Sequence, residues 1–243
     1  MKWSASMARR SPEDRPEKLV AAATRVFIEQ GYRRTQVADV AAALGVAKGT
    51  IYLAVESKEA LFDLALRYAD APTPFANPPK LPVPTPRAGA TLRFVREKLA
   101  SNRVPPTLAA AARRRPRDVA AELEQIVCEL YDVLAANRWG IKLIDRCAPD
   151  YPELASLWFV GARGGLMDLL SDYLADRIRG RRLRPVPDAR VAARLIIETT
   201  VYWAVHRHWD AHPQTVDEGV ARASVVRFVV GALAPEKAKE KAA

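Results

Sequence analysis

The fold of this chain is decided by residues 15–66, which read RPEKLVAAATRVFIEQGYRRTQVADVAAALGVAKGTIYLAVESKEALFDLAL. The opening part of this stretch, 15–30, places apolar side chains such as Leu19 and Phe27 at the spacing of one helix face. Gly31 supplies a natural end for that helix, because glycine adopts the backbone conformation that terminates helices. The stretch therefore begins with one amphipathic helix that needs partners.

Two shorter helices are expected next. Thr35 can cap the first of them, and Gly45 ends it. The second begins at Lys48, only three residues later. Helix, tight turn and helix over 36–55, after a longer supporting helix, is the spacing of a helix-turn-helix DNA-binding motif. The structural alternative is an ordinary helical hairpin inside a bundle.

The outward side of the expected helix at 48–55 suits the major groove of DNA. A helix enters that groove, about 12 Å wide, when its outer face is small and polar. Lys48 and Tyr52 can hold phosphates, and Gly49 lets the backbone come close. Thr50 can touch a phosphate, a base edge or a thymine methyl group.

The basic turn that precedes the motif adds three candidate neighbours of the groove, Arg33, Arg34 and Gln36. Basic residues in a turn are often simply exposed to solvent. The sequence therefore allows two interpretations for these residues, contact with DNA bases or exposure to solvent alone.

The same 52-residue stretch resembles, without a gap, the N-terminal domain of the tetracycline-repressor (TetR) family. The resemblance is carried by F-x-x-x-G-Y at 27–32, the cap Thr35, V-A-x-x-L-G-V at 40–46, K-G-T-I-Y at 48–52 and S-K-E-A-L at 57–61. It implies an all-helical, homodimeric, ligand-responsive transcriptional regulator, usually a repressor, whose C-terminal half binds the effector.

The resemblance also implies site residues. The positions that meet DNA in the family, mostly its phosphates, fall on Thr35, Lys48, Thr50, Tyr52 and Lys58. The sequence departs from the family pattern at two places. Ala47 replaces a frequent serine cap, and Ala54 with Val55 replaces an aromatic or histidine followed by phenylalanine, which is expected to weaken one phosphate contact and some packing.

The remaining chain is also expected to be helical, so the predicted fold class is all-α. Seven of the 18 prolines lie between positions 72 and 86, which indicates an extended, semi-rigid boundary. The predicted organisation is a disordered N-terminus (1–12), a helix-turn-helix domain (13–73), a Pro-rich linker (74–89), an effector-binding and dimerisation domain (90–234) and a frayed tail (235–243).

The composition narrows the class of protein. The formal charge is +10 over 243 residues, which suggests an anionic partner such as nucleic acid. The charge does not mark the motif, however, because residues 1–70 hold 11 basic and 9 acidic residues, against 27 and 19 in residues 71–243. Two cysteines form neither a disulfide framework nor a metal spacing. With no secretory leader and no apolar run that could span a membrane, a cytoplasmic protein without a membrane partner is expected.

The second half supplies predictions for partners. The apolar content of the helices at 188–209 and 215–233 exceeds what one intramolecular face needs, and Thr215 is expected to cap the second of them. These helices are the predicted homodimer interface, and a two-fold dimer implies a palindromic operator. An apolar or aromatic effector could be lined by a set of aromatic residues for which plain core packing is the alternative. This aromatic set is Tyr131, Trp139, Trp158, Phe159, Tyr202 and Trp203.

Catalysis and cofactors are not expected. The three histidines of H-R-H-W-D-A-H at 206–212 suggest a metal site as one interpretation. The adjoining Pro213, however, places His212 at a helix end, where histidine also interacts favourably with the helix dipole. No nucleophile elbow, phosphate loop or paired-carboxylate motif is present. Two other functions stay open: a DNA-coating protein without sequence preference, and a helical small-molecule-binding protein that does not bind DNA.

Overall fold

The computed structural model describes residues 15–102, 104–113 and 116–235. The predicted disordered segment 1–12 and residues 236–243 of the predicted tail lie outside these ranges. Over the described residues the chain is all-α, as expected, and its only β-pairing is an isolated parallel bridge between Val55 and Val83. The helix bounds are α1 Arg15–Gln30, α2 Val37–Leu44, α3 Lys48–Tyr52, α4 Lys58–Tyr68, α5 Ala90–Asn102, α6 Pro106–Ala111, α7 Val119–Ala136, α8 Arg138–Cys147, α9 Pro152–Ala155, α10 Gly165–Arg179, α11 Ala189–Ala204 and α12 Glu218–Leu233.

The described chain divides into two compact units. The first contains residues 15–95 together with 143–151, and the second contains the described parts of 96–142 and 152–235. Helices α5 and α8 each begin in one unit and end in the other.

The first unit is built on α1, which packs against α2 and α4. Phe27 of α1 is fully buried, and its ring meets that of Phe62 of α4 with centroids 5.0 Å apart. Ile51, at 3% exposure, anchors α3 to this core. Burial of these large apolar side chains is the main stabilising contribution to a unit of this size.

The Pro-rich segment differs from a linker, because it packs against the first unit. Phe75 is buried beside Tyr68, with ring centroids 4.7 Å apart, and the backbone N–H of Phe75 donates to Glu17 Oε1 over 3.0 Å. Val83 exchanges two backbone hydrogen bonds with residues 54 and 56. The prolines remove donors but leave these hydrogen bonds intact, and so the segment folds as part of the unit.

The second unit is centred on α7, against which α11 and α12 pack, while α10 packs along α11. Residues 152–179 do not form one continuous α-helix, since Ser156–Gly164 is π-helical between α9 and α10. The helix expected over 188–209 ends at Ala204 and continues as a 3₁₀ turn, His206–Trp209. The core is formed by apolar side chains such as Leu123, Ile126, Leu130, Leu170, Leu174, Ile196 and Val225.

Two helix caps differ from the expected ones. Asp217, not Thr215, caps α12, since Asp217 Oδ1 accepts from the Val220 N–H over 3.1 Å. Gln36, not Thr35, occupies the cap position of α2.

In the part of the chain that the structure describes, no helix is long and apolar enough to cross a bilayer.

Candidate nucleic-acid interface

The turn between α2 and α3 is set by Gly45. This residue has φ 66° and ψ 35°, in the left-handed region that favours glycine. The backbone N–H of Val46 donates to the Ala41 carbonyl over 3.0 Å, which closes the end of α2. The chain therefore reverses within residues 45–47 and places α3 directly beside α2.

Helix α3 presents the four predicted groove residues on its outer side. Lys48, Gly49, Thr50 and Tyr52 are all exposed, and Lys48 Nζ lies 6.0 Å from the centroid of the Tyr52 ring. A Cβ placed on Gly49 would meet nothing within 4 Å, so the backbone there is open to an approaching surface. The structure thus brings these four residues together around one exposed helical turn.

The turn between α1 and α2 holds the next group of predicted residues. Arg33, Arg34 and Gln36 are exposed, and the Arg34 Nε donates to the Gln30 carbonyl over 2.9 Å. The backbone N–H of Gln36 donates to Asp39 Oδ2 over 2.7 Å, which fixes the start of α2. The two arginines keep most of their donors available to an anionic partner.

Thr35 does not reach this surface. It is 1% exposed, and its hydroxyl donates to the Gly31 carbonyl over 2.7 Å. The expectation that Thr35 caps α2 is therefore wrong, and its side chain is buried. It ties the α1–α2 turn internally, because its hydroxyl satisfies a carbonyl at the end of α1.

Lys58 stands at the start of α4, whose cap Ser57 accepts from the Ala60 N–H over 3.1 Å. Lys58 Nζ donates to the Arg33 carbonyl over 3.2 Å and lies 4.7 Å from the centroid of the Tyr32 ring. Burial lowers the pKa of Lys58 below its usual value. Lys58 is thus half-buried and joins α4 to the α1–α2 turn.

A first element that the sequence patterns missed is the strap, residues 81–86 of the Pro-rich segment. The Val83 N–H donates to the Ala54 carbonyl over 2.8 Å, and the Glu56 N–H donates to the Val83 carbonyl over 3.0 Å. Thr85 continues the contact with its hydroxyl 2.9 Å from Ser57 Oγ. The strap therefore holds the peptide groups between α3 and α4.

A second missed element is the segment 146–151, which comprises the last two residues of α8 and the four residues after them. Arg146 donates to the carbonyls of Ile28 and Glu29 at the end of α1, over 3.2 and 3.3 Å. Asp150 accepts from the Arg33 N–H over 3.0 Å, and the ring of Tyr151 lies 5.7 Å from that of Tyr32. No local pattern could have indicated these contacts, because the partners are more than 100 residues apart in the chain.

The aromatic set of the second unit is only partly brought together. Tyr131 is buried, and its hydroxyl lies 2.9 Å from Glu218 Oε1 and 3.4 Å from the Trp203 carbonyl. The rings of Tyr202 and Trp203 meet edge to face at 5.7 Å. Trp139 packs against Trp209, which was not in the set.

The other two members, Trp158 and Phe159, lie on the π-helical segment. Trp158 is buried, whereas Phe159 is more than one-third exposed with the Arg163 guanidinium 5.8 Å from its ring. Tyr131 and Trp158 therefore serve the core, and Trp139, Phe159 and Tyr202 keep exposed ring surface.

Glu218 is the centre of a polar cluster in the second unit. Besides Tyr131, it accepts from Arg138 over 2.9 Å and from Arg207 over 2.8 Å. These hydrogen bonds and positive charges keep the pKa of Glu218 below its usual value despite its partial burial. His208 Nε2 lies 2.8 Å from Arg138 Nη1 and 3.8 Å from Glu218 Oε2. Among the described residues, no group of three or more His, Cys, Asp or Glu side chains could hold a metal ion.

Comparison with known proteins places this geometry in context. Residues 19–65 match the family model described as bacterial regulatory proteins, tetR family. The fold is similar to that of the ketosteroid transcriptional regulator KstR2 of Mycobacterium tuberculosis, with 17% identity, a TM-score of 0.54, and coverage of 91% of this chain and 96% of that one.

Two further solved structures are similar in fold. SCO3833, a TetR-family member from Streptomyces coelicolor, has 21% identity and a TM-score of 0.55, with coverage of 89% of this chain and 91% of that one. A tetR-family regulatory protein from Rhodococcus RHA1 has 16% identity and a TM-score of 0.51, with coverage of 91% and 98% respectively. No curated protein sequence matches the chain.

Proposed function

We propose that this chain, whose residues 19–65 match the family model of tetR-family bacterial regulatory proteins, is a sequence-specific transcriptional regulator that represses from a palindromic operator until an effector releases it. The observation that carries the proposal is the exposed group Lys48, Gly49, Thr50 and Tyr52 on α3, opposite the buried Ile51. A helix anchored on one side and polar on the other can enter the major groove.

Each exposed residue has a role in the proposed complex. Lys48 and Tyr52 bind phosphates, and Thr50 meets a base edge or a thymine methyl group. Gly49 lets the backbone of α3 approach the groove. Arg33, Arg34 and Gln36 flank the groove, and Lys58 binds a phosphate from the start of α4. Thr35 positions the α1–α2 turn through its internal hydrogen bond.

The proposed partner for assembly is a second copy of the chain, bound through α11 and α12. Both helices carry exposed apolar residues on their outer faces, namely Val191 and Leu195 on α11 and Val220 and Phe228 on α12. A monomeric protein seldom leaves so many large apolar side chains in water on two adjacent helices. Two-fold pairing there would present two α3 helices to the two half-sites of a palindrome.

Release is proposed to begin in the second unit. An apolar or aromatic effector would meet the exposed rings of Trp139, Phe159 and Tyr202. To displace the DNA, it must prefer the DNA-free conformation by about 1 to 3 kcal/mol or more, because equal affinity for both conformations shifts nothing. Helix α8 offers a route, since it begins in the second unit and ends beside α1 in the first.

Footprinting on the DNA that flanks the gene of this protein, with and without candidate effectors, tests the DNA-binding proposal. A protected palindrome is expected, and Tyr52→Ala and Lys48→Ala should abolish it while the protein stays folded. Arg25→Ala is the matched control for Lys48→Ala, because Arg25 is exposed on α1 and its loss removes the same charge. A footprint unchanged in Tyr52→Ala would refute the assignment, and uniform protection of all duplexes would favour a DNA-coating protein.

Sedimentation of Leu195→Asp and Phe228→Asp tests the dimer. Both variants are expected to sediment as monomers with unchanged helix content, because a carboxylate would be buried at the interface. Leu81→Asp, which alters an exposed apolar residue of the first unit, should remain dimeric. Dimers of undiminished stability in both interface variants would place the assembly on another surface.

A further inference from the structure

Two arginine-rich segments, distant in the sequence, meet at one end of the second unit. They are 112–113 with 116–118, before α7, and 176–188, from the end of α10 to the start of α11. Arg182 joins them, since its guanidinium donates to the Pro116 carbonyl and, over 3.4 Å, to the Arg117 carbonyl. Leu183, at 3% exposure, anchors the second segment in the core. The tertiary structure thus concentrates charges that the sequence keeps 65 residues apart.

Four arginines of this region have exposed side chains and are named here the arginine end: Arg113, Arg117, Arg179 and Arg181. Their guanidinium groups form no hydrogen bond or ion pair with any residue of 15–102, 104–113 or 116–235. The four cations therefore face solvent on two segments that Arg182 joins.

The carboxylates of the same region are already engaged. Asp118 accepts from the Ala121 N–H over 3.0 Å and caps α7, and Asp188 accepts from the Val191 N–H over 2.8 Å and caps α11. Glu122 and Asp176 both pair with the buried Arg177. None of these four carboxylates forms an ion pair with a guanidinium group of the arginine end.

Helix dipoles account for only part of this arrangement. Arg179 does lie in the last turn of α10, where a positive charge is favourable. Arg117, however, lies two residues before the start of α7, where the dipole disfavours a cation. All the basic residues of 112–118 and 176–188 are arginine. Guanidinium groups match phosphate oxygens in planar, bidentate geometry, which lysine does not.

We infer that the arginine end binds the phosphate backbone of duplex DNA without sequence preference. The inference rests on the proposed function, which places the protein among duplex DNA. Four guanidinium groups on two segments suit a row of phosphates better than a single phosphate group, which one or two arginines can hold. The charge distribution agrees, because residues 71–243 carry 27 basic and 19 acidic residues while 1–70 carry 11 and 9.

The test measures binding to a random-sequence duplex as a function of salt concentration. The full chain carrying Lys48→Ala and Tyr52→Ala, which inactivate α3, is the starting protein, and fluorescence anisotropy gives its affinity between 50 and 200 mM salt. This protein should still bind the duplex. Adding Arg→Gln at Arg113, Arg117, Arg179 and Arg181 should make the slope of log K against log salt shallower by about 3 to 4, since each phosphate contact contributes about 0.9.

Two controls separate the arginine end from bulk charge and from misfolding. Arg→Lys at the same four positions keeps the charge and should retain most of the slope. The pair Arg179→Gln and Arg181→Gln is compared with Arg93→Gln and Arg96→Gln, two exposed arginines of α5. The first pair should weaken binding and the second should leave it nearly unchanged, with equal helix content in both.

Three results would overturn the inference: no binding of the random duplex by the starting protein, equal losses in both pairs, or preferential binding of single-stranded RNA or anionic vesicles. Failure of the proposed function looks different. In that case the unaltered protein would show no preferred operator, while the arginine end would still bind random duplex.

Discussion

The backbone N–H of Arg33 donates to Asp150 Oδ2 over 3.0 Å, across 117 positions of the chain. The Asp150 carboxylate packs closely against Gly31 of the α1–α2 turn. A Cβ placed on Gly31 would lie only 2.8 Å from the same Oδ2 atom, so a larger residue would clash there. The turn that carries Arg33 and Arg34 is therefore held by a residue that follows α8. The position of two candidate DNA-binding arginines thus depends on a distant segment.

Gly31→Ala should destabilise the first unit more than Gly45→Ala does. Both glycines have positive φ, 81° and 66°, which costs an alanine about 1 to 2 kcal/mol. Only Gly31 adds a clash, since a Cβ on Gly45 meets nothing within 4 Å. Urea unfolding of both variants measures the difference.

The cycle that combines Gly31→Ala with Asp150→Ala identifies the cause. Without the Asp150 carboxylate, Gly31→Ala should cost no more than Gly45→Ala. An unchanged cost in the Asp150→Ala background would show that the carboxylate does not restrict the turn.

Val83→Pro should weaken operator binding. It removes the backbone N–H that donates a hydrogen bond to the Ala54 carbonyl, just after α3. Leaving that carbonyl unpaired is expected to cost about 1 to 3 kcal/mol of local stability. Val83→Ala keeps the N–H and is the matched control. Anisotropy with operator DNA measures the effect, and equal affinities for both variants would mean that the strap does not support α3.

Glu122→Gln should cost about 3 to 5 kcal/mol in the free energy of unfolding, because it leaves a buried guanidinium without its main counter-charge. Arg177 is 2% exposed and pairs with Glu122 over 2.9 and 3.2 Å. The control is Asp132→Asn, which breaks the exposed pair with Arg222 and should cost less than about 1 kcal/mol. Denaturant unfolding compares them, and similar losses would contradict the role given to the buried pair.

Acidification should weaken the second unit through His208. Burial, then Arg138 and Arg207, lower the pKa of His208 below its usual 6.5, whereas Glu218 opposes the shift. The unfolded chain therefore takes up the proton first, so this contribution to stability is complete above pH 6.5 and decreases as the pH falls below it. Between pH 7.5 and 5.5, the unaltered protein should lose more unfolding free energy than His208→Gln. Equal losses in urea titrations at the two pH values would exclude His208 as the cause.

Short-range chemistry allowed α1, α2 and α3 to be predicted. The apolar periodicity of α1 and the role of Gly45 in ending α2 depend on neighbours within a few residues. The predicted cap of α2 is wrong by one residue, and that of α12 by two. In each case the sequence offers two nearby candidates, Thr35 and Gln36 or Thr215 and Asp217, and the path of the folded backbone decides which of them caps the helix.

The sequence alone was sufficient to predict the all-helical fold class and the exposure of Lys48, Gly49, Thr50 and Tyr52 on α3. A helix places every third or fourth residue on one side, so both follow from local periodicity. Packing alone determined that the Pro-rich segment pairs with residues 54 and 56, that Asp150 holds the α1–α2 turn, and that two arginine segments converge. These contacts join residues 27 to 117 positions apart. Their formation depends on which surfaces the folded chain brings within hydrogen-bonding distance, and no local periodicity encodes that proximity.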